Sequence, residues 1–468
     1  MSFLQRRPAG ASLHHIDSPV RNLVYARVCF PLVLCLSGQY RMSQYHLQSY
    51  PARCKKEDRV AFYQFNPEVT PPEVGMNNTT VNKLTTLFRT EVESGKLFWG
   101  AQLAIFRRGK CVLDIGGGFA RASDQKPVTP ETMFVLYSST KGLAALAMHL
   151  LHDRGRFQYN DLVSRYWPEF ARNGKERATI AHVLGHRVGN TIGPDWLTYK
   201  LWGDRQKCAQ AMEESVPRWT PGEANGYHPL NYGFMINELM LRIDGRDCGQ
   251  FLRDEVFTPL GLNSVFVGLP ESEEPRVACV YEAPADRESI TQMAAIMGFT
   301  PDEEYFAFQR SLNFEEKTEG KSLPFPEAAN IFNRPEVHRA VIAGGGGIAS
   351  ARDMAKVYAM LARGAVWEGK RYLSTSTLEQ SITPTNEQGA VDRSLRIPII
   401  YGLGWMLGHL ARGASLRTFG HPGKGGQVCL ADLDRELSFS FLNTGQKDYA
   451  GFAQFSIELV SLALDACR

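Results

Sequence analysis

A serine and a lysine three residues apart, Ser138 and Lys141, stand where a strand-and-loop pattern gives way to a long apolar run. At the start of a helix, positions i and i+3 share a face, so this spacing sets an amine beside a hydroxyl. A serine hydroxyl is a weak nucleophile until a base within hydrogen-bond reach takes its proton. Lysine can be that base only when desolvation or a nearby positive group lowers its pKa toward neutrality. A helix N-terminus adds unpaired N–H groups and partial positive charge, both suited to an oxyanion. Together these residues point to serine acyl transfer.

A second copy of the spacing, Ser123-Asp124-Gln125-Lys126, provides a control within the chain. Pro127 and Pro130 follow it, so no helix starts there and the two side chains have no fixed relation. The copy at Ser138 runs into Gly142-Leu143-Ala144-Ala145-Leu146-Ala147-Met148, with Gly155 placed to end the helix. Taken alone, the spacing is equally met by an N-cap serine and a solvated lysine. Farther on, Pro221-Gly222 sets up a loop ending in Tyr227, before an apolar helix over residues 232–243. A phenol beside a lysine can relay a proton between the serine and a leaving group; otherwise it is a packing aromatic. Gly420-His421-Pro422-Gly423-Lys424-Gly425-Gly426 leads into a strand. Small residues there let a substrate lie against the strand edge, His421 and Lys424 supply polarity, and a backbone N–H offers a second oxyanion donor.

The elements that must position these residues are legible from about residue 80. Residues 81–93 have helical apolar spacing. Residues 101–107 and 111–115 form a hairpin pattern turned at Arg108-Gly109-Lys110. Residues 156–335 read as helix and loop with few strands. Strand character returns over 404–408, 427–431 and 437–442, and a helix over 450–466 closes the chain. Strands at both ends with helices between imply one sheet built from N- and C-terminal segments, with a helical lobe of about 156–335 inserted.

At 468 residues, with 44% apolar and 22% charged residues, the chain has the composition of a globular protein with a large core. A net charge of +3 without a basic aromatic stripe gives no case for nucleic acid. The 9 cysteines include no C-x-x-C pair, which argues against a zinc site or disulfide framework. Residues 1–40 are read as a targeting segment, mitochondrial or secretory, with plain disorder and a cytoplasmic location left open. The apolar run at 28–36 is too short to span a bilayer comfortably. Residues 41–79 are polar and proline-marked and read as a linker, although Asn77-Asn78-Thr79-Thr80 carries two overlapping glycosylation sequons.

Ser138/Lys141, Tyr227 and His421-Pro422-Gly423, in that order, resemble the motifs of the serine β-lactamase and penicillin-binding-protein-like family, in its class C and esterase branch. Lesser matches are Leu184–Gly189, Gly344–Asp353 and Tyr401–Trp405, so the likeness covers residues 80–468. The resemblance implies an α+β fold, with an antiparallel sheet flanked by helices and the helical lobe inserted. It implies an acylated Ser138, with Lys141 and Tyr227 sharing base and acid duty. The N–H groups of Ser138 and Lys424 would hold the oxyanion, and His421 and Gly423 would border the substrate. Two positions depart from the pattern: Pro229 replaces the asparagine of Y-x-N, and Pro422 replaces the threonine of K-T-G. Both favour an ester- or peptide-cleaving enzyme over an efficient β-lactamase. The expected partner is a small-molecule or peptide acyl substrate, with no cofactor, no metal, no membrane span in the catalytic domain, and homo-oligomerisation left open. A catalytically silent scaffold is the alternative. His182 and His186 lie four apart but lack the glutamate of a zinc-hydrolase helix. Gly423-Lys424-Gly425 lacks the spacing of a phosphate loop, and residues 315–321 read as a solvated loop.

Overall fold

The computed structural model describes residues 61–282, 286–296, 298–312, 314, 329–447 and 449–467. The expected targeting segment, the linker up to residue 60 and the loop at 315–321 lie outside the described residues.

Strand β1 (Phe62–Gln64) is followed by helix α1 (Asn78–Ser94), and then by β2 (Gly100–Arg107) and β3 (Lys110–Arg121). Arg108 and Gly109 both take positive φ, 50° and 75°, as a two-residue hairpin turn requires. Helix α2 (Thr140–Asp153) opens the helical region, and α3 (Asn231–Ile243) and α4 (Ala351–Ala362) follow. The sheet resumes with β4 (Ile400–Tyr401), β5 (Met406–Leu407), β6 (Thr418–Pro422), β7 (Val428–Asp432) and β8 (Leu437–Asn443), and α5 (Tyr449–Asp465) closes the fold. Strand order is β1-β3-β2-β8-β7-β6-β5-β4, antiparallel throughout, with Lys126–Pro127 as a short addition on β3. Leu103 of β2 faces Phe441 of β8 across the join between the chain's two ends. The architecture is α+β, an antiparallel sheet from N- and C-terminal segments flanked by helices.

Alternation along the strands divides the interior. Leu103 and Ile105 join Phe439, Phe441, α1 and α5 in one core, while Ala104 and Phe106 join α2, α3 and α4 in the other. Helix α1 shows how a sequence stripe sets this. Val81, Leu84, Phe88 and Val92 are buried, Asn77 caps the first turn by accepting the Thr80 N–H at 3.0 Å, and Gly95 ends the helix at φ 56°.

The described end of the expected linker, residues 61–79, is structured and corrects that boundary. β1 pairs with β3, placing Tyr63 opposite Gly116. Any Cβ on Gly116 would lie 2.5 Å from the Tyr63 ring, so glycine makes room for a three-residue edge strand that composition alone conceals. No helix among the described residues is long and apolar enough to cross a membrane.

Candidate active site

Ser138 lies in a 3-10 turn, Tyr137–Ser139, two residues before α2 begins rather than on the helix's own first turn. Tyr137 enters it at φ 46°, a left-handed conformation uncommon for an aromatic residue. The turn keeps the i,i+3 relation, and Lys141 Nζ lies 3.1 Å from Ser138 Oγ. The Tyr227 hydroxyl donates to the same oxygen at 2.5 Å. The control pair behaves otherwise: Ser123 to Lys126 form a turn, and the Lys126 amine bonds the Pro275 carbonyl.

Lys141 is 0% exposed, and its other hydrogen bonds go to the carbonyls of Pro229 and Gly344, each 2.6 Å from Nζ. Burial holds its pKa well below the usual lysine range. A neutral amine would direct two N–H groups to those carbonyls and its lone pair to Ser138, the arrangement a general base needs. Tyr227 is also buried, and burial raises its pKa, with the Asp392 charge adding to the effect and the bond to Ser138 opposing it. The phenol is therefore a proton donor at neutral pH.

Strand β6 supplies the other wall. Ser139 Oγ donates to the His421 carbonyl at 2.8 Å, which fixes the nucleophile turn against the strand. A Cβ on Gly423 would stand 2.4 Å from the Leu136 carbonyl, so only glycine allows this approach. The segments carrying the Ser138 and Lys424 N–H groups are thereby brought together. The His421 ring lies 5.8 Å from that of Tyr227, and its Nδ1 contacts the Pro422 carbonyl at 2.7 Å. Burial lowers its pKa to about 3, so it is neutral and cannot replace a lysine's charge. The Lys424 side chain turns to the Leu312 carbonyl at 2.6 Å and lies over the Phe314 ring, with burial lowering its pKa to about 7.

Sequence reasoning missed several groups. The Pro229 and Gly344 carbonyls are backbone atoms without a side-chain signature. Asp392, from the loop before β4, is buried behind Tyr227 and accepts its N–H at 3.1 Å. His186, which the sequence places in the Leu184–Gly189 match, takes φ 57°, accepts the His228 backbone N–H on Nδ1 at 3.1 Å, and packs its ring 4.9 Å from Tyr227. His182 instead accepts the Thr179 N–H at its own helix start. No cluster of three or more potential metal ligands occurs among the described residues.

The family model described as Beta-lactamase matches residues 86–459. The chain belongs to the beta-lactamase family. Among curated proteins it is 29% identical over 374 residues to the esterase/beta-lactamase LipL of Mycobacterium tuberculosis, covering 76% of this chain and 81% of the relative. Its fold is similar to that of a penicillin-binding protein homologue from Caulobacter crescentus, with TM-score 0.68 and 27% identity over 83% of this chain and 98% of the other. It is also similar to a family VIII carboxylesterase, with TM-score 0.66 and 26% identity over 82% and 99%. As a member of this family the protein is a hydrolase of the serine acyl-enzyme type, acting on ester or amide substrates.

Proposed function

We propose that the protein is a carboxylesterase-like hydrolase in which Ser138 is acylated, Lys141 receives its proton and Tyr227 protonates the departing oxygen. The N–H groups of Ser138 and Lys424 receive the oxyanion, while His421 and Gly423 border the substrate. The observation that carries this reading is the single oxygen, Ser138 Oγ, contacted by a buried phenol at 2.5 Å and a buried amine at 3.1 Å. Ester substrates are favoured over lactams on two grounds. Pro229 lacks the side-chain amide of the asparagine in the Y-x-N pattern, and Pro422 brings no hydroxyl for a substrate carboxylate. The likeness to a family VIII carboxylesterase supports the same preference.

Fluorophosphonate labelling read by intact mass tests the assignment. One adduct is expected on the wild-type protein and on Ser123→Ala, and none on folded Ser138→Ala. Labelling that persists in Ser138→Ala, or fails in the folded wild type, removes the proposed nucleophile; the latter result leaves the scaffold reading.

A further inference from the structure

Behind Tyr227 stands a buried acid that belongs to none of the catalytic motifs. Asp392 is 1% exposed, and no basic side chain lies within ion-pair distance of it among the described residues. Its neighbours Arg393 and Arg396 are turned outward, onto Glu223 at 3.1 Å and onto Asp302 and Glu304 at 3.1 and 3.0 Å. Four donors converge on the carboxylate instead. Oδ1 accepts the N–H groups of Tyr227 at 3.1 Å, Ser394 at 2.8 Å and Leu395 at 2.7 Å, and Oδ2 accepts the Tyr401 hydroxyl at 2.9 Å. An unpaired charge in such a place is expensive unless hydrogen bonds satisfy it, and these four do so without neutralising it. One of the four is the backbone of the residue whose hydroxyl touches Ser138.

We propose that Asp392 is a positioning residue for Tyr227, fixing its backbone and, as a buried carboxylate, keeping its phenol protonated so that tyrosine acts as the acid and Lys141 as the base. The inference rests on the acyl-serine reading given above. Burial raises the pKa of Asp392 and its four donors oppose that shift, and it is the one acid facing Tyr227 among the described residues. His186 and His421 are held neutral by burial, as is His228 beyond them, with pKa near 3 for His421 and His228. Tyr232 and Tyr401 are buried phenols whose pKa values burial raises, so they also carry no charge. Lys141, 4.9 Å over the Tyr227 ring, is the remaining ionisable group. Burial is the largest cause of the raised Tyr227 pKa, and the Asp392 charge, held at that residue's backbone N–H, acts in the same direction. In the acylation step the Ser138 O–H proton passes to Lys141 as the Oγ–acyl bond forms. The Tyr227 proton passes to the alkoxide as the ester bond breaks, and the lysine ammonium then restores the phenol.

The test is the pH dependence of kcat/KM for an unactivated alkyl ester in Asp392→Asn, Tyr401→Phe and the wild type. Asparagine keeps the shape and the Oδ1 acceptor but removes the charge, so the alkaline limb should move down by about one pH unit. Tyr401→Phe removes a donor but keeps the charge, and its alkaline limb should not move down. Equal losses of rate in both variants without movement of the limb would reduce Asp392 to a structural role and overturn the proposal. Should Asp392→Asn fail to fold, tyrosinate absorbance of the wild type minus Tyr227→Phe decides: no difference below pH 10 supports a protonated phenol, and a phenolate signal there overturns it. Failure of the acyl-serine reading is separate, because it appears as absent fluorophosphonate labelling in the wild type.

Discussion

The ε-nitrogen of Lys141 faces three oxygens, two of which are carbonyls that can only accept. This splits the proton work unevenly between the two partners of Ser138. The amine is suited to taking a proton and the buried phenol to giving one, so the tyrosine's contribution should depend on the leaving group. Tyr227→Phe is expected to slow hydrolysis of an ethyl ester by about a hundredfold to ten-thousandfold. A 4-nitrophenyl ester, whose leaving group departs without a proton, should lose far less. Steady-state rates on the matched pair measure the difference, and equal losses would assign the tyrosine to another step. Ser138, Lys141 and Tyr227 were legible because their chemistry resides in side chains at recognisable spacings. Asp392 was not, because a lone acid in an arginine-containing loop looks like a solvated charge until the fold buries it. The neutral state of His421 was equally hidden, since only packing decides whether a histidine keeps its proton.

At the scale of elements, the site is an intersection of backbones brought unusually close. Helix α3 crosses the turn at Gly344 through Gly233, where a Cβ would lie 1.9 Å from the Gly344 nitrogen. The same turn presents the Gly344 carbonyl to Lys141 and the Gly347 N–H to Thr140 Oγ1 at 2.9 Å, so it locks onto the start of α2. Gly233→Ala should therefore displace the turn, destabilise the protein by about 1–3 kcal/mol and slow fluorophosphonate labelling in the fraction that remains folded. Urea unfolding and labelling kinetics on one preparation measure both effects, and a variant with unchanged labelling would separate the turn from the lysine. The glycine run was recognisable in the sequence as a tight turn, and the helices and the hairpin were recognisable from their apolar periods. What it touched was not, because the two glycines that meet are more than a hundred residues apart and carry no complementary pattern. The edge strand at Phe62–Gln64 was missed for a related reason: three residues are too few to show an alternation.

Across the whole molecule, one sheet serves two cores, and β8 contributes to both. Phe441 is fully buried, with its ring 6.2 Å from Phe88, 5.8 Å from Phe98 and 5.8 Å from Phe455. Phe441→Ala should cost about 3–5 kcal/mol and lower the unfolding midpoint, although the residue lies on the face away from Ser138. Loss of labelling should coincide with loss of helical circular dichroism as urea rises, because the strand that carries Phe441 also backs β6, which borders the candidate site, through β7. Two separated transitions would show that the cores unfold independently. The central join of the sheet also sets a timetable for synthesis. The Gly100 N–H bonds to the Thr444 hydroxyl 344 residues later, and every residue pair between β2 and β8 must wait almost as long. At about 5–20 residues per second a ribosome needs roughly twenty to seventy seconds to make the partner. During that time the inner edge of β2 is an apolar strand with unpaired backbone groups, the kind of surface that recruits foreign strands. A newborn chain of this protein thus exposes an aggregation-prone strand edge well before it can be an enzyme.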